Sequence, residues 1–232
     1  MVERVLVVAA HPDDIDFAAA GSVARWISEG VNVTYCLVTD GAAGGSDASI
    51  SRSEMATIRR GEQTDAAKQV GVTDLYWLGF PDGEVEPTLD LRRELTRVIR
   101  IFRPERVLCP SPERWWDRIQ ASHPDHMAAG EATVRAVYPD ARNPFAHLSL
   151  SDLPAWTVQE IYLMADPKSD VFVDVTDTFP AKMAALRAHV SQGIPANENL
   201  EEWIRGWLTA SAQQGGLPEG RLAEAFRRVA TG

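Results

Sequence analysis

The chain has 232 residues, 45% of them hydrophobic and 24% charged, an ordinary globular balance with enough apolar material for a sizeable core. Its length suits one α/β domain, and residues 1–232 read as a single domain without repeats, linkers or low-complexity tracts. A formal net charge of −10 argues against nucleic acid as a partner, because phosphate binding needs a basic patch.

In chain order, residues 5–10 (VLVVAA), 33–38 (VTYCLV), 75–78 (LYWL) and 106–109 (RVLC) read as buried strands, β-branched or aromatic and bounded by turn residues. Between them, residues 15–28, 54–70 and 89–102 place apolar side chains at helical spacing. Residues 124–138 read as a further helix, with Pro124 at the first helical position, where its missing N–H is harmless. A proline-rich loop over 139–155 follows. Residues 158–164 and 171–175 then read as strands, and 182–190, 200–209 and 221–229 as helices. Strand and helix alternating at these lengths predict βαβ units and a Rossmann-like fold, a mostly parallel sheet flanked by helices.

No apolar run reaches the roughly 20 residues that cross a bilayer. The first strand begins almost at Met1, which leaves no room for a signal peptide, so a cytoplasmic location is expected. Cys36 and Cys109 both lie in apolar runs and read as small buried hydrophobes, not as a disulfide or metal ligands. Nothing in the sequence specifies oligomeric state, and a homo-oligomer remains open.

Open α/β sheets bind ligands beyond the carboxyl ends of their strands. The four loops there, 10–14, 39–47, 79–84 and 110–126, are rich in Gly, Asp, His and Pro. Three of the five histidines fall in two near-matching tetrapeptides, His11-Pro12-Asp13-Asp14 and His123-Pro124-Asp125-His126. Each opens a helix, so its first and fourth residues are one turn apart and can face one point. Together they offer imidazoles and carboxylates in the number a catalytic zinc needs, three protein ligands and one open position. The plainer reading is a turn with an aspartate N-cap. It fits one such tetrapeptide better than two at the ligand edge of one sheet.

The paired tetrapeptides resemble the motifs of the PIG-L/LmbE-like de-N-acetylase family. Arg59-Arg60-Gly61-Glu62, Leu78-Gly79-Phe80-Pro81-Asp82-Gly83, Val173-Asp174-Val175-Thr176 and the segment from Lys182 through His189 to Gln192 resemble further family segments. The resemblance covers about residues 4 to 192. It implies a zinc (Zn2+) cofactor held by His11, Asp14 and His126, with Asp13 as general base. It implies that His123 stabilises the oxyanion or protonates the leaving amine, that Asp125 orients His123, and that Arg59 and Asp82 line the substrate side. The expected reaction is hydrolysis of an N-acyl group, commonly acetyl, from a small amino-sugar-like molecule. Elementary chemistry agrees: a cation with an open position polarises an amide carbonyl and acidifies water, and a carboxylate beside it takes the proton.

Two positions depart from the family pattern: Asp16 where relatives often have Glu, and Ala20 where they have Gly. Three other readings stay open. One is an amidase of thiol conjugates with the same fold. A second is a non-haem iron enzyme, since two histidines and a carboxylate also hold iron. The third is a non-catalytic sugar-binding module. Trp115-Trp116 reads equally as a sugar platform or a packed loop anchor, and His189 as a site residue or a structural hydrogen-bond partner. His147 reads as a surface residue. Residues 41–45 (GAAGG) lack the spacing and the Lys-Ser/Thr of a phosphate loop and read as a flexible polar lid.

Overall fold

The computed structural model describes residues 2–232. Its seven strands are Arg4–Ala9 (β1), Asn32–Thr39 (β2), Asp74–Phe80 (β3), Arg106–Pro110 (β4), Glu160–Met164 (β5), Val171–Asp174 (β6) and Ala223–Ala230 (β7). They form one sheet in the order β3-β2-β1-β4-β5-β7-β6. The five from β3 to β5 are parallel, and β7 runs antiparallel to both of its neighbours. The helices are Asp14–Ala18 (α1), Ala20–Ser28 (α2), Arg52–Gln69 (α3), Leu89–Phe102 (α4), Pro124–Arg135 (α5), Phe179–Arg187 (α6) and Leu200–Gln214 (α7).

The central strands read as unbroken apolar runs because helices cover both faces of the sheet. In β1, Leu6 and Val8 join the layer containing Leu95 and Ile99 of α4 and Ala129 of α5. Val5, Val7 and Ala9 join the opposite layer, with Val23 of α2, Ala66 of α3 and Ala185 of α6. A smaller cluster ties Leu186 of α6 to Ile204 and Leu208 of α7. Cys36 and Cys109 are both free and buried within the first layer, as expected.

Two elements differ from the sequence reading. The helix expected over 15–28 is two helices broken at Ala19, whose φ is −143° and ψ 0°. A buried ion pair sits in the break. Lys182 Nζ donates to the carbonyls of Asp16 and Phe17, while Glu224 accepts from the backbone N–H groups of Gly21 and Ser22. The two side chains meet at 2.7 Å, so the orphan groups of both helix ends are satisfied from 160 or more residues away. Gly21 is needed there, because a Cβ would stand 2.8 Å from Val175 Cβ.

The second difference is at 221–229, where Ala, Glu and Arg suit a helix but β7 forms. Both β5 and β6 offer it an open edge, and Phe226, fully buried, pairs with Met164 on one side and Val171 on the other. Two ladders of backbone hydrogen bonds override a weak local propensity.

The chain winds outward from β1 to β3, then returns to β4 on the other side of β1. The crevice at the carboxyl ends of β1 and β4 is therefore the point where strand order reverses. The two His-Pro-Asp tetrapeptides meet in that crevice.

Candidate metal centre

The first tetrapeptide leaves β1 where Thr39 of β2 grips the Ala10 carbonyl through both its N–H and its Oγ1. Asp13 precedes α1 with φ +80°, in the left-handed region that aspartate tolerates better than most residues. Its carboxylate makes no cap bond. Instead its N–H donates to Gln63 Oε1 at 2.8 Å, and its Oδ2 lies 3.1 Å from Arg59 Nη2. Asp14 turns back, Oδ2 accepting from the His11 N–H at 2.8 Å.

The second tetrapeptide follows β4. A Cβ on Gly130 would overlap the Pro110 carbonyl, so glycine lets α5 lie directly on the strand end. His123 is the N-cap of α5, its Nδ1 accepting from the Asp125 N–H at 3.2 Å. Asp13 holds the N-cap position of α1 without a side-chain cap bond and Asp125 is not a cap, so neither carboxylate does the capping that the plainer reading required.

Three side chains converge. His11 Nδ1 is 3.3 Å from His126 Nε2 and 3.5 Å from Asp14 Oδ2, and His126 Nε2 is 3.0 Å from Asp14 Oδ1. Ligands of a tetrahedral zinc with bonds of 2.0–2.1 Å stand about 3.4 Å apart; the two imidazole nitrogens match that spacing, and the Asp14 carboxylate meets it with Oδ2 toward His11 and Oδ1 toward His126. Two other groups also lie close: His11, His123 and His126, and His11, Asp82 and Asp125. Both fit less well. His123 is exposed and has committed Nδ1 to its cap. Asp82 accepts from Ala43 N–H, and Asp125 from Gly83 and Val85 N–H, while an oxygen of each acid lies 3.1 Å from His11 Nε2. His11 is thus divided, with Nδ1 toward Asp14 and His126 and Nε2 toward an acid pair that fixes the ring, the usual arrangement behind a metal-bound imidazole.

The electrostatics follow. Burial opposes charge on His11, but Asp14, Asp125 and Asp82 outweigh it and push its pKa up to about 12. So much negative charge calls for a cation at this point, a proton or a metal. Burial opposes charge on His126 too, and Asp14 overcomes it, raising the pKa; in return His126 and His11 hold the Asp14 carboxyl well below the carboxylate range against burial. Asp13 goes the other way. Burial and the charge of Asp14 push it up to about 6, against the pull of Arg59 and His189. Burial, with His11 and His126 nearby, lowers His123.

Several expected roles change on this geometry. Asp125 was expected to orient His123; its carboxylate faces His11, because the backbone N–H groups of Gly83 and Val85 draw it inward. With its Nδ1 accepting from the Asp125 N–H, His123 carries its proton on Nε2 in the neutral form. Arg59 and Asp82 were expected to line the substrate side, yet they are 4% and 6% exposed. Arg59 donates to Pro12 O, Gly41 O and Asp13, so it braces Asp13 and the turn that carries it. The 41–45 segment is pinned where a free lid was expected: a Cβ on Gly41 would stand 2.5 Å from Arg59 Nη1, and Gly45 N–H donates to Gln192.

His189 proves to be the structural partner, fully buried with Nε2 2.8 Å from Asp16 Oδ2. Asp16, the departure from the family pattern, also accepts from Gln63 Nε2 at 2.9 Å. His147 is not a free surface residue, for its Nε2 lies 2.9 Å from Asp140 Oδ2. Trp116 is 78% exposed, while Trp115 lines a cavity described below.

Three contributors, Gln63, Trp203 and Trp207, were not singled out in the sequence. Gln63 joins Asp13 to Asp16, and a lone glutamine within a helix gives no signal of that. Trp203 and Trp207 of α7, with Phe17 and Met164, bound a cavity of about 220 Å³ whose floor includes Asp14 and His126. Their i, i+4 spacing reads as an ordinary core stripe.

Comparison with known proteins agrees with this geometry. Residues 6–137 match the PIG-L family, GlcNAc-PI de-N-acetylase. The chain is 33% identical over 229 residues to a diacetylchitobiose deacetylase of Thermococcus kodakarensis, covering 98% of this chain and 84% of the relative. It is 34% identical over 197 residues to a probable N-acetyl-α-D-glucosaminyl L-malate deacetylase 2 of Bacillus cereus, covering 83% and 84%. The solved N,N'-diacetylchitobiose deacetylase of Pyrococcus horikoshii superposes with a TM-score of 0.89 at 30% identity, over 99% of this chain and 84% of that one. With more than half its length matched and relatives aligned across nearly all of it, the chain belongs to the PIG-L de-N-acetylase family.

Proposed function

We propose that the protein is a zinc-dependent hydrolase that removes the acetyl group from an N-acetylated amino sugar or a small conjugate of one. The observation that carries this reading is the trio His11, Asp14 and His126, with donor atoms 3.0–3.5 Å apart and Asp13 beside them. The activities named for the relatives, on acetylated chitobiose and on N-acetylglucosaminyl malate, support the substrate class.

His11, Asp14 and His126 would hold the zinc, which when bound polarises the amide carbonyl and acidifies water. The chain's own residues do the rest. Asp13, a carboxylate beside the trio that makes no cap bond, accepts a proton from the attacking water. His123 donates from Nε2 to the carbonyl oxygen as charge develops there. A neutral imidazole has no second proton to give, so the departing amine takes back the proton held by Asp13. Arg59 fixes Asp13, and Asp82 and Asp125 fix His11. Among the described residues no helix is long and apolar enough to cross a membrane.

Acetate release from N,N'-diacetylchitobiose, N-acetylglucosaminyl malate and a thiol-conjugate amide tests the proposal, run before chelation, after it, and after zinc is restored. Acetate from an acetylated amino sugar, lost with chelation and recovered with zinc, is expected. Turnover of the thiol conjugate alone would move the activity to the amidases. Release from none of the three would overturn the hydrolase reading.

A further inference from the structure

The 220 Å³ cavity at Asp14 and His126 adjoins a second one of about 390 Å³, and Arg118 and Trp207 line both. Alone, the first is smaller than an ordinary ligand site of roughly 300–1,000 Å³; together they come within that range. A substrate whose acetamido group reaches the metal centre would thus extend past Arg118.

Arg118 is unusual in its surroundings. Its guanidinium lies 4.2 Å from the Trp207 ring centroid and 5.8 Å from that of Trp115. No described residue gives its side chain a hydrogen bond or a salt bridge; its one recorded bond is from its backbone N–H to the Trp115 carbonyl. Arg59, Arg92, Arg100 and Arg106, also withdrawn from solvent, all end on carboxylates or carbonyls. The acids in the same walls are engaged elsewhere. Asp166 accepts from Ser111 Oγ and the Lys168 N–H, and Glu224 from Lys182. Asp117 is exposed and forms no ion pair with its neighbour.

Stacking on indole occupies the flat faces of a guanidinium and leaves its five N–H donors free around the edge. A half-buried cation without a counter-charge is costly to keep and binds an anion strongly, in a forked geometry suited to carboxylate or phosphate. We propose that Arg118 is a specificity residue that binds an anionic group, a carboxylate or a phosphate, on the part of the substrate beyond the acetylated amino sugar. This deepens the deacetylase reading and rests on it for the position of the acetamido group. Trp207 would act as the platform that holds Arg118 in place and packs against the sugar.

The test compares three N-acetylglucosaminides whose aglycones are similar in size and carry a carboxylate, a phosphate or a neutral hydroxyl. Acetate release is measured for the wild type, Arg118→Gln and Arg118→Lys, and binding of each glycoside by calorimetry. The wild type should favour one or both acidic glycosides in kcat/KM by roughly 10- to 100-fold, the worth of a hydrogen bond to a charged group. Which acid is preferred separates carboxylate from phosphate. R118Q should collapse that preference through KM, and R118K should restore only part of it, having charge without the fork. Equal use of acidic and neutral glycosides by the wild type overturns the proposal, as does an equal loss on all three in R118Q. Arg118-dependent binding of the acidic glycosides without acetate release would instead overturn the deacetylase reading and leave the anion site standing.

Discussion

Arg59 Nη2 lies 3.1 Å from Asp13 Oδ2 and donates to the Pro12 carbonyl at 2.6 Å, so one guanidinium fixes both the proposed base and the turn that presents it. Arg59→Gln should keep its zinc and lower kcat by roughly 10- to 100-fold, the scale of effects from residues behind a metal site. Burial and Asp14 raise the pKa of Asp13 to about 6, and Arg59 pulls against them. Removing that cation raises it further, so the acid limb of the pH–rate profile should move to higher pH. A limb that stays in place with unchanged turnover would show that Arg59 braces only the fold.

Asp125 likewise holds a neighbouring residue of the site, the His11 ring. Its oxygens accept from Gly83 N–H, Val85 N–H and the His11 ring. In Asp125→Asn the new amide nitrogen would have to face one of those donors. Zinc affinity should fall by roughly 10- to 100-fold, read by competition with a chelator of known affinity. Unchanged affinity with slower turnover would mean that Asp125 acts through His123 after all.

Away from the site, Glu160 of β5 joins Arg106 of β4 to Arg228 of β7. Burial works against its charge, but the two guanidinium groups win and hold its carboxyl below the ordinary carboxylate value. The sign is that of a depressed acid. The stabilisation is complete above the unfolded pKa of roughly 4.3 and is lost as pH falls through the folded value. Glu160→Gln should remove about 1–3 kcal/mol at pH 7 and flatten the decline in stability below pH 5. Denaturant melts across that range check it, and a variant with the wild-type pH dependence would contradict it.

The strands from β1 to β6, the spans of α3 and α4 and the convergence of the two tetrapeptides were legible because each rests on local pattern: apolar runs, helical spacing, and a donor set repeated at a strand end. What was not legible rests on distant pairing. The break at Ala19 depends on Lys182 and Glu224, which no window around residue 19 contains. The strand at Ala223–Ala230 exists because two other strands leave edges open to it. Within the site, residue types were legible and their directions were not. The sequence places Asp125 two residues from His123, but the donors that turn it toward His11 come from the loop after β3.

The central claim assigns neighbouring aspartates to different work, Asp13 to proton transfer and Asp14 to the metal. Its most direct test is kcat for acetate release by Asp13→Asn, measured alongside zinc content per chain. Asparagine also tolerates the left-handed backbone found at Asp13, so the turn should survive the change. The variant should hold one zinc and turn over roughly 10²- to 10⁴-fold more slowly, with the loss shared by kcat and kcat/KM. An Asp13→Asn protein that has lost its zinc, or that keeps zinc and the wild-type rate, would contradict the assignment.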